Sequence, residues 1–195
     1  MKRILLSAAL LLSLSTALAG PLGLDMSQSL DALSKQMQLK KEREFVYSTS
    51  STPKPHPDFE TYNLIVTPEH GLCKLGAISK TFETSAYGEA LKSKFNDIES
   101  ALTEKYGKGS RMDFLKSGSI WNEPRDWMMG LRKDERVLTS YWKSEGDKQL
   151  PDNVQVVMLE AKALSGNSGW ISLHYEFTNA SACLDSMKKK RGSSL

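Results

Sequence analysis

The apolar positions repeat with two periods, and the period changes along the chain. Leu30, Leu33 and Met37 recur at helical spacing behind Asp25 or Ser27 as caps, which predicts a first helix from Ser27 to about Lys41. Phe45-Val46-Tyr47 is strand-like. Tyr62, Leu64 and Val66 then alternate with Asn63, Ile65 and Thr67 up to Pro68-Glu69-His70-Gly71. Leu72 to Phe82 reads as the hairpin partner, with Cys73, Leu75, Ala77 and Ser79 on one side. The longest helical stripe is Leu91, Phe95, Ile98, Leu102 and Tyr106, within a helix from about Ala86 to Tyr106 that Gly107 caps. A loop with a short turn around Phe114 follows. Next is a short amphipathic helix with Pro124 as its first residue, Asn122 as its cap and Trp127, Met128 and Leu131 on its apolar face. Arg136 to Trp142, Val154 to Leu164 and Gly169 to Thr178 read as strands, the last two joined by a Ser165-Gly166-Asn167-Ser168-Gly169 turn. A helix from Ala180 to Arg191 ends the pattern.

The predicted order is αβββα-αβββα. Strands joined by short turns pair antiparallel, so the expected class is α+β, an antiparallel sheet of about six strands with helices packed on it. No change of composition marks a linker, and residues 20–195 read as a single domain.

The first residues belong to a different program. Lys2 and Arg3 precede an almost wholly apolar run from Ile4 to Leu14, and Ala17-Leu18-Ala19 has the small-x-small form that a signal peptidase cuts. The apolar run of about 11 residues is short of the roughly 20 that span a bilayer, so residues 1–19 read as a cleavable signal peptide and not as an anchor. Gly20 stands where a lipoprotein needs Cys. The brevity of the signal points to a bacterial route, hence to the periplasm or the medium, with a eukaryotic secreted protein as the alternative, and no transmembrane segment is expected in the mature chain.

That destination changes how two other features read. With 26 Lys and Arg against 23 Asp and Glu the formal net charge is +3, and losing Lys2 and Arg3 brings it to +1. The signs are interspersed, which argues against nucleic acid as a partner. The run Lys188-Lys189-Lys190-Arg191 reads as a solvated tail. Cys73 and Cys183 are the two cysteines, and in an oxidising compartment they read as one disulfide. His70 stands three before Cys73, but no second ligand pair has zinc-site spacing, so no metal or other cofactor is expected.

Gly23-Leu24-Asp25-Met26-Ser27, opening a helix ahead of an extended hairpin, resembles the start of the small BamE/SmpA-type envelope domains. That resemblance covers the first quarter of the chain. It implies a small α+β module that binds other envelope proteins and carries no catalytic site. Ser119-Ile120-Trp121-Asn122-Glu123-Pro124-Arg125-Asp126-Trp127 is similar to a stretch of an uncharacterised secreted bacterial family.

Catalytic signatures are hard to find. Ser165-Gly166-Asn167-Ser168-Gly169 lies between strands, where a hairpin turn is wanted, whereas a nucleophile elbow joins strand to helix. His56, His70 and His174 fall on separate elements and read as structural. Glu123 and Asp126 suit a helix N-terminus electrostatically. Trp121, Arg125 and Trp127 are of the residue types enriched at binding hot spots, and the extended loop of Pro53, Pro55 and Pro57 is a second candidate for partner binding. The reading is a non-catalytic exported protein that binds an envelope or extracellular protein, as an inhibitor, immunity or accessory protein does. The alternative is a hydrolase or sugar-binding module with a Trp-lined cleft beside Glu123 or Asp126.

Overall fold

The computed structural model describes residues 20–192. The signal peptide expected over residues 1–19 lies outside them. In chain order the elements are α1 (Leu30–Gln36), β1 (Lys40–Arg43), β2 (Val46–Thr49), β3 (Phe59–Thr67), β4 (Gly71–Ser79), β5 (Phe82–Glu83) and α2 (Glu89–Tyr106). There follow β6 (Ser110–Leu115), α3 (Trp127–Arg132), β7 (Arg136–Lys143), β8 (Val154–Ala163), β9 (Ser168–Phe177) and α4 (Ala180–Gly192). Single 3-10 turns at Pro21–Gly23 and Pro124–Asp126 precede α1 and α3.

Among the described residues nine strands form one antiparallel sheet in the order β1-β2-β3-β4-β9-β8-β7-β6, with β5 pairing the start of β9. This corrects the expected αβββα-αβββα arrangement of about six strands. The chain is mostly sheet, and β1, β5 and β6 are the strands not anticipated. Each escapes periodicity for a physical reason. The four residues of β1 are all exposed and charged, so no apolar alternation marks them. β5 is two residues long. β6 turns two of its three apolar residues, Met112 and Phe114, to the side without helices, where both remain exposed.

The first helix is also shorter than expected. Ser27 sits at φ 64°, and its N–H donates to Leu72 O at 2.9 Å, a strand-like contact. Ser29 therefore caps α1, its Oγ accepting from the Ala32 N–H at 3.2 Å. Met37, at φ −154°, ends it and releases the chain into β1.

The strand pairing aligns Leu64, Leu75, Tyr175, Val157 and Trp142 in one row across five strands. All five are buried. On this face lies α2, against β8 and β9, with Leu91, Phe95, Ile98, Leu102 and Tyr106 buried as its spacing predicts. Each such side chain contributes about 1.5–3 kcal/mol of burial. The helix is closed at both ends. Thr84 Oγ1 accepts from the Ala90 N–H at 3.1 Å. At the other end Gly107 takes φ 78°, and its carbonyl accepts from the Trp142 indole at 2.7 Å. α3 packs on β7 and β8, and α4 on β3 and β4.

Covalent, hydrogen-bonding and ionic contacts hold α4, Lys190 Nζ lying 2.8 Å from Glu44 Oε1 at its far end. The Cys73–Cys183 disulfide joins it to β4, as expected, across 110 residues of sequence. Asn179 Nδ2 donates to the carbonyls of His70 and Leu72, each at 3.0 Å, and His70 Nε2 lies 3.1 Å from Ser186 Oγ. Among the described residues no helix is long and apolar enough to cross a membrane.

Candidate functional site: the uncovered face and free edge of the sheet

Because side chains alternate along a strand, the rows between the buried ones point away from the helices. The central such row is Asn63, Gly76, His174, Met158, Tyr141 and Ser110, running across six strands. Beside it run Ile65, Lys74, Glu176, Val156 and Lys143. Gly76 makes the floor hollow: a Cβ there would stand 3.2 Å from His174 Nδ1, so the missing side chain leaves the imidazole room to lie against the strand. The result is a groove of about 460 Å³ walled by Ile65, Val156, Met158 and Tyr141, with the Lys74–Glu176 ion pair at one side.

His174 is half-buried in the groove. Burial holds its pKa below the ordinary value of 6.5, with a smaller push the same way from Lys74, against the pull of Glu160 and Glu176. The fold thus disfavours the imidazolium. The stability linked to this group is complete above the unfolded value and falls as pH drops below about 6.5. Denaturant titrations between pH 7.5 and 5 should show a wild-type slope that His174→Gln lessens. Equal slopes in the two proteins would remove His174 from the groove's interior.

The two edges of the sheet differ in kind. β1 is short, carries Lys40, Lys41, Glu42 and Arg43, and has a register break between Lys41 and Arg43. These are the devices that stop strand-to-strand association. β6 has six residues, regular pairing, no proline, and exposed Met112 and Phe114. Its charges are already engaged: Arg111 bonds Asn96 Oδ1 at 2.9 Å and pairs with Glu99, and Asp113 lies 3.7 Å from Arg136.

The direction of its free backbone groups follows from one bond. Lys116 N–H donates to Glu135 O at 2.7 Å, continuing the β6–β7 register. In an antiparallel pair, residues alternately turn both backbone groups toward the partner and both away. Met112 and Phe114 therefore bond to β7, while Arg111, Asp113 and Leu115 turn their N–H and C=O outward.

The residues singled out from the sequence lie elsewhere. Trp127 is a core residue, 5% exposed, with Lys92 Nζ 4.3 Å from its ring centroid. Trp121 is half-buried beside Gly130, and Arg125 and Glu123 are exposed, with Asp126 half-buried in the turn ahead of α3. Pro53, Pro55 and Pro57 are exposed, but their loop is fastened to the N-terminal segment, where Lys54 N–H donates to Leu22 O at 3.0 Å. The groove and edge were missed because their residues are scattered over strands whose pairing, above all β4 with β9, the sequence does not announce. The one available signal was an alternation of apolar side chains on both faces, as in Leu64-Ile65-Val66 and Val156-Val157-Met158. Among the described residues no group of three or more His, Cys, Asp and Glu is placed to hold a metal ion.

No protein-family model, curated protein or solved structure matched the chain, so the functional reading rests on the geometry of its own surface.

Proposed function

We propose that this chain is an exported, non-catalytic binding protein, and that its partner is a protein contributing an extended segment to the free edge of β6. The observation that carries this reading is the contrast between the edges: β1 is guarded by charge and irregularity, and β6 is regular and flanked by Met112 and Phe114. Outward N–H and C=O groups at alternate residues match another backbone, whereas a sugar or small ligand has no repeating donor and acceptor set at strand spacing. The neighbouring open face, with Tyr141, Met158 and Ile65 half-buried, gives the partner's side chains an apolar bed beyond the edge.

Met112→Lys with Phe114→Lys tests the reading. Both side chains are exposed, so the double variant keeps its stability to within about 1 kcal/mol, while lysines at the edge oppose strand addition. Mature oxidised protein used as bait in an envelope extract of its source should retain a near-stoichiometric protein that this variant loses. With the purified partner the affinity should fall at least about tenfold, or about 1.4 kcal/mol. A bait with Trp121→Ala and Arg125→Ala should keep it. Unchanged affinity in the lysine variant, or loss only in the Trp121/Arg125 variant, would overturn the assignment to β6.

A further inference from the structure

We infer that the α-amino group released by cleavage after Ala19 docks on Asp25 and becomes a structural part of the folded protein. Two independent observations meet at one peptide bond. The small-x-small pattern of Ala17-Leu18-Ala19 puts the cut immediately before Gly20. The fold buries Gly20 and sets its backbone nitrogen 2.9 Å from Asp25 Oδ1. The site admits glycine alone: a methyl group there would lie 2.3 Å from Leu24 O and 3.2 Å from Asp25 Oδ1.

In cleavage water adds across the Ala19–Gly20 amide. The carbonyl carbon of Ala19 takes the hydroxyl and becomes a carboxylate, the C–N bond breaks, and the Gly20 nitrogen leaves as an amine that is protonated at neutral pH. A neutral N–H facing a carboxylate is thereby replaced by an ammonium at the same atom. The bond, already assisted by the charge of the carboxylate, gains the Coulomb attraction of a second and opposite charge. The anchored nitrogen begins a segment that is itself locked into the fold. The Gly20 carbonyl accepts from Gly23 N–H at 3.0 Å, Pro21 and Leu24 are buried, and Gly23 at φ 81° packs so tightly on the proline loop that a Cβ there would meet Pro53 Cβ at 2.9 Å. Processing therefore completes the fold as well as releasing the protein. The inference rests on the export reading and is independent of what binds β6.

The test is a cycle of four proteins: the exported, processed chain and the same chain retaining one extra alanine before Gly20, each with Asp25 or Asp25→Asn. The asparagine keeps an oxygen acceptor, so the change reads the charge. Intact mass must first show a chain starting at Gly20; a different start overturns the premise and with it the proposal. Asp25 is itself exposed, so in the processed protein Asp25→Asn should lower the thermal midpoint by about 2–3 °C, and in the extended protein by less than about 1 °C. Equal shifts in the two backgrounds, or no shift in either, would overturn the docking of the amine even with the cut confirmed.

Discussion

Replacing both bridge cysteines, as Cys73→Ala with Cys183→Ala, should lower the thermal midpoint by about 10 °C. The bond closes a loop of 110 residues, and in the chain-entropy account a loop of that length removes on the order of 4 kcal/mol from the unfolded state's advantage. For a chain of this size each kcal/mol moves the midpoint by about 2–4 °C. Both cysteines are buried, so alanine adds no unpaired polar group, and lost packing adds a little to the cost. The effect is local in origin as well. α4 meets the sheet mainly through β3 and β4, and without the bridge its hold rests on Asn179, His70, the Lys190–Glu44 ion pair and the apolar contacts. Calorimetry of the oxidised wild type, the reduced wild type and the double variant measures it. A drop smaller than about 2 °C, with the bond shown present by mass, would mean that the helix is held by its non-covalent contacts and not by the bridge.

Trp127→Ala should cost about 3–5 kcal/mol, the range for deleting a buried tryptophan, while Trp121→Ala should cost under about 1.5 kcal/mol. The Trp127 ring stands directly on the left-handed Gly88 that opens α2. A Cβ at Gly88 would fall 2.3 Å from its Cε3, and the φ of 74° would strain any L side chain besides. Met128 N–H donates to Ala86 O at 3.1 Å, so the same few residues weld α3 to the start of α2. Guanidinium unfolding of the two variants separates a core tryptophan from a binding one. A stable Trp127→Ala protein that loses its partner would return Trp127 to the surface role first considered for it, and move the candidate site to α3.

Which parts of this molecule were legible from its sequence follows from where each pattern's chemistry is decided. The β3–β4 hairpin and α2 were readable because one face of each meets the core, and alternation or helical spacing records that directly: Tyr62, Leu64 and Val66, or Leu91, Phe95 and Ile98, are all buried. Gly107 marked a helix end because only glycine accepts its φ of 78° without strain. β6 was hidden because Met112 and Phe114 face away from the helices, and β1 because pairing alone defines it. The groove was beyond a sequence reading for a stronger reason. Gly76 and His174 become neighbours only when β4 pairs with β9, nearly a hundred positions later in the chain, and no local pattern encodes that contact. The tryptophans drew attention by residue type, but type alone does not separate a hot spot from a core filler.

The position of β9 has a consequence for how the protein is made. It is the last of the described strands, yet it lies between β4 and β8 near the middle of the sheet. A chain emerging N-terminus first thus displays the unpaired edge of β4, with Leu75 and Ala77 beside it, until almost all of the remaining sequence has arrived. Contacts of such long range form slowly. The half-made sheet is most adhesive before β9 arrives, so a short-lived cover over the β4 edge would protect the folding chain at a stage that strengthening the finished core does not reach.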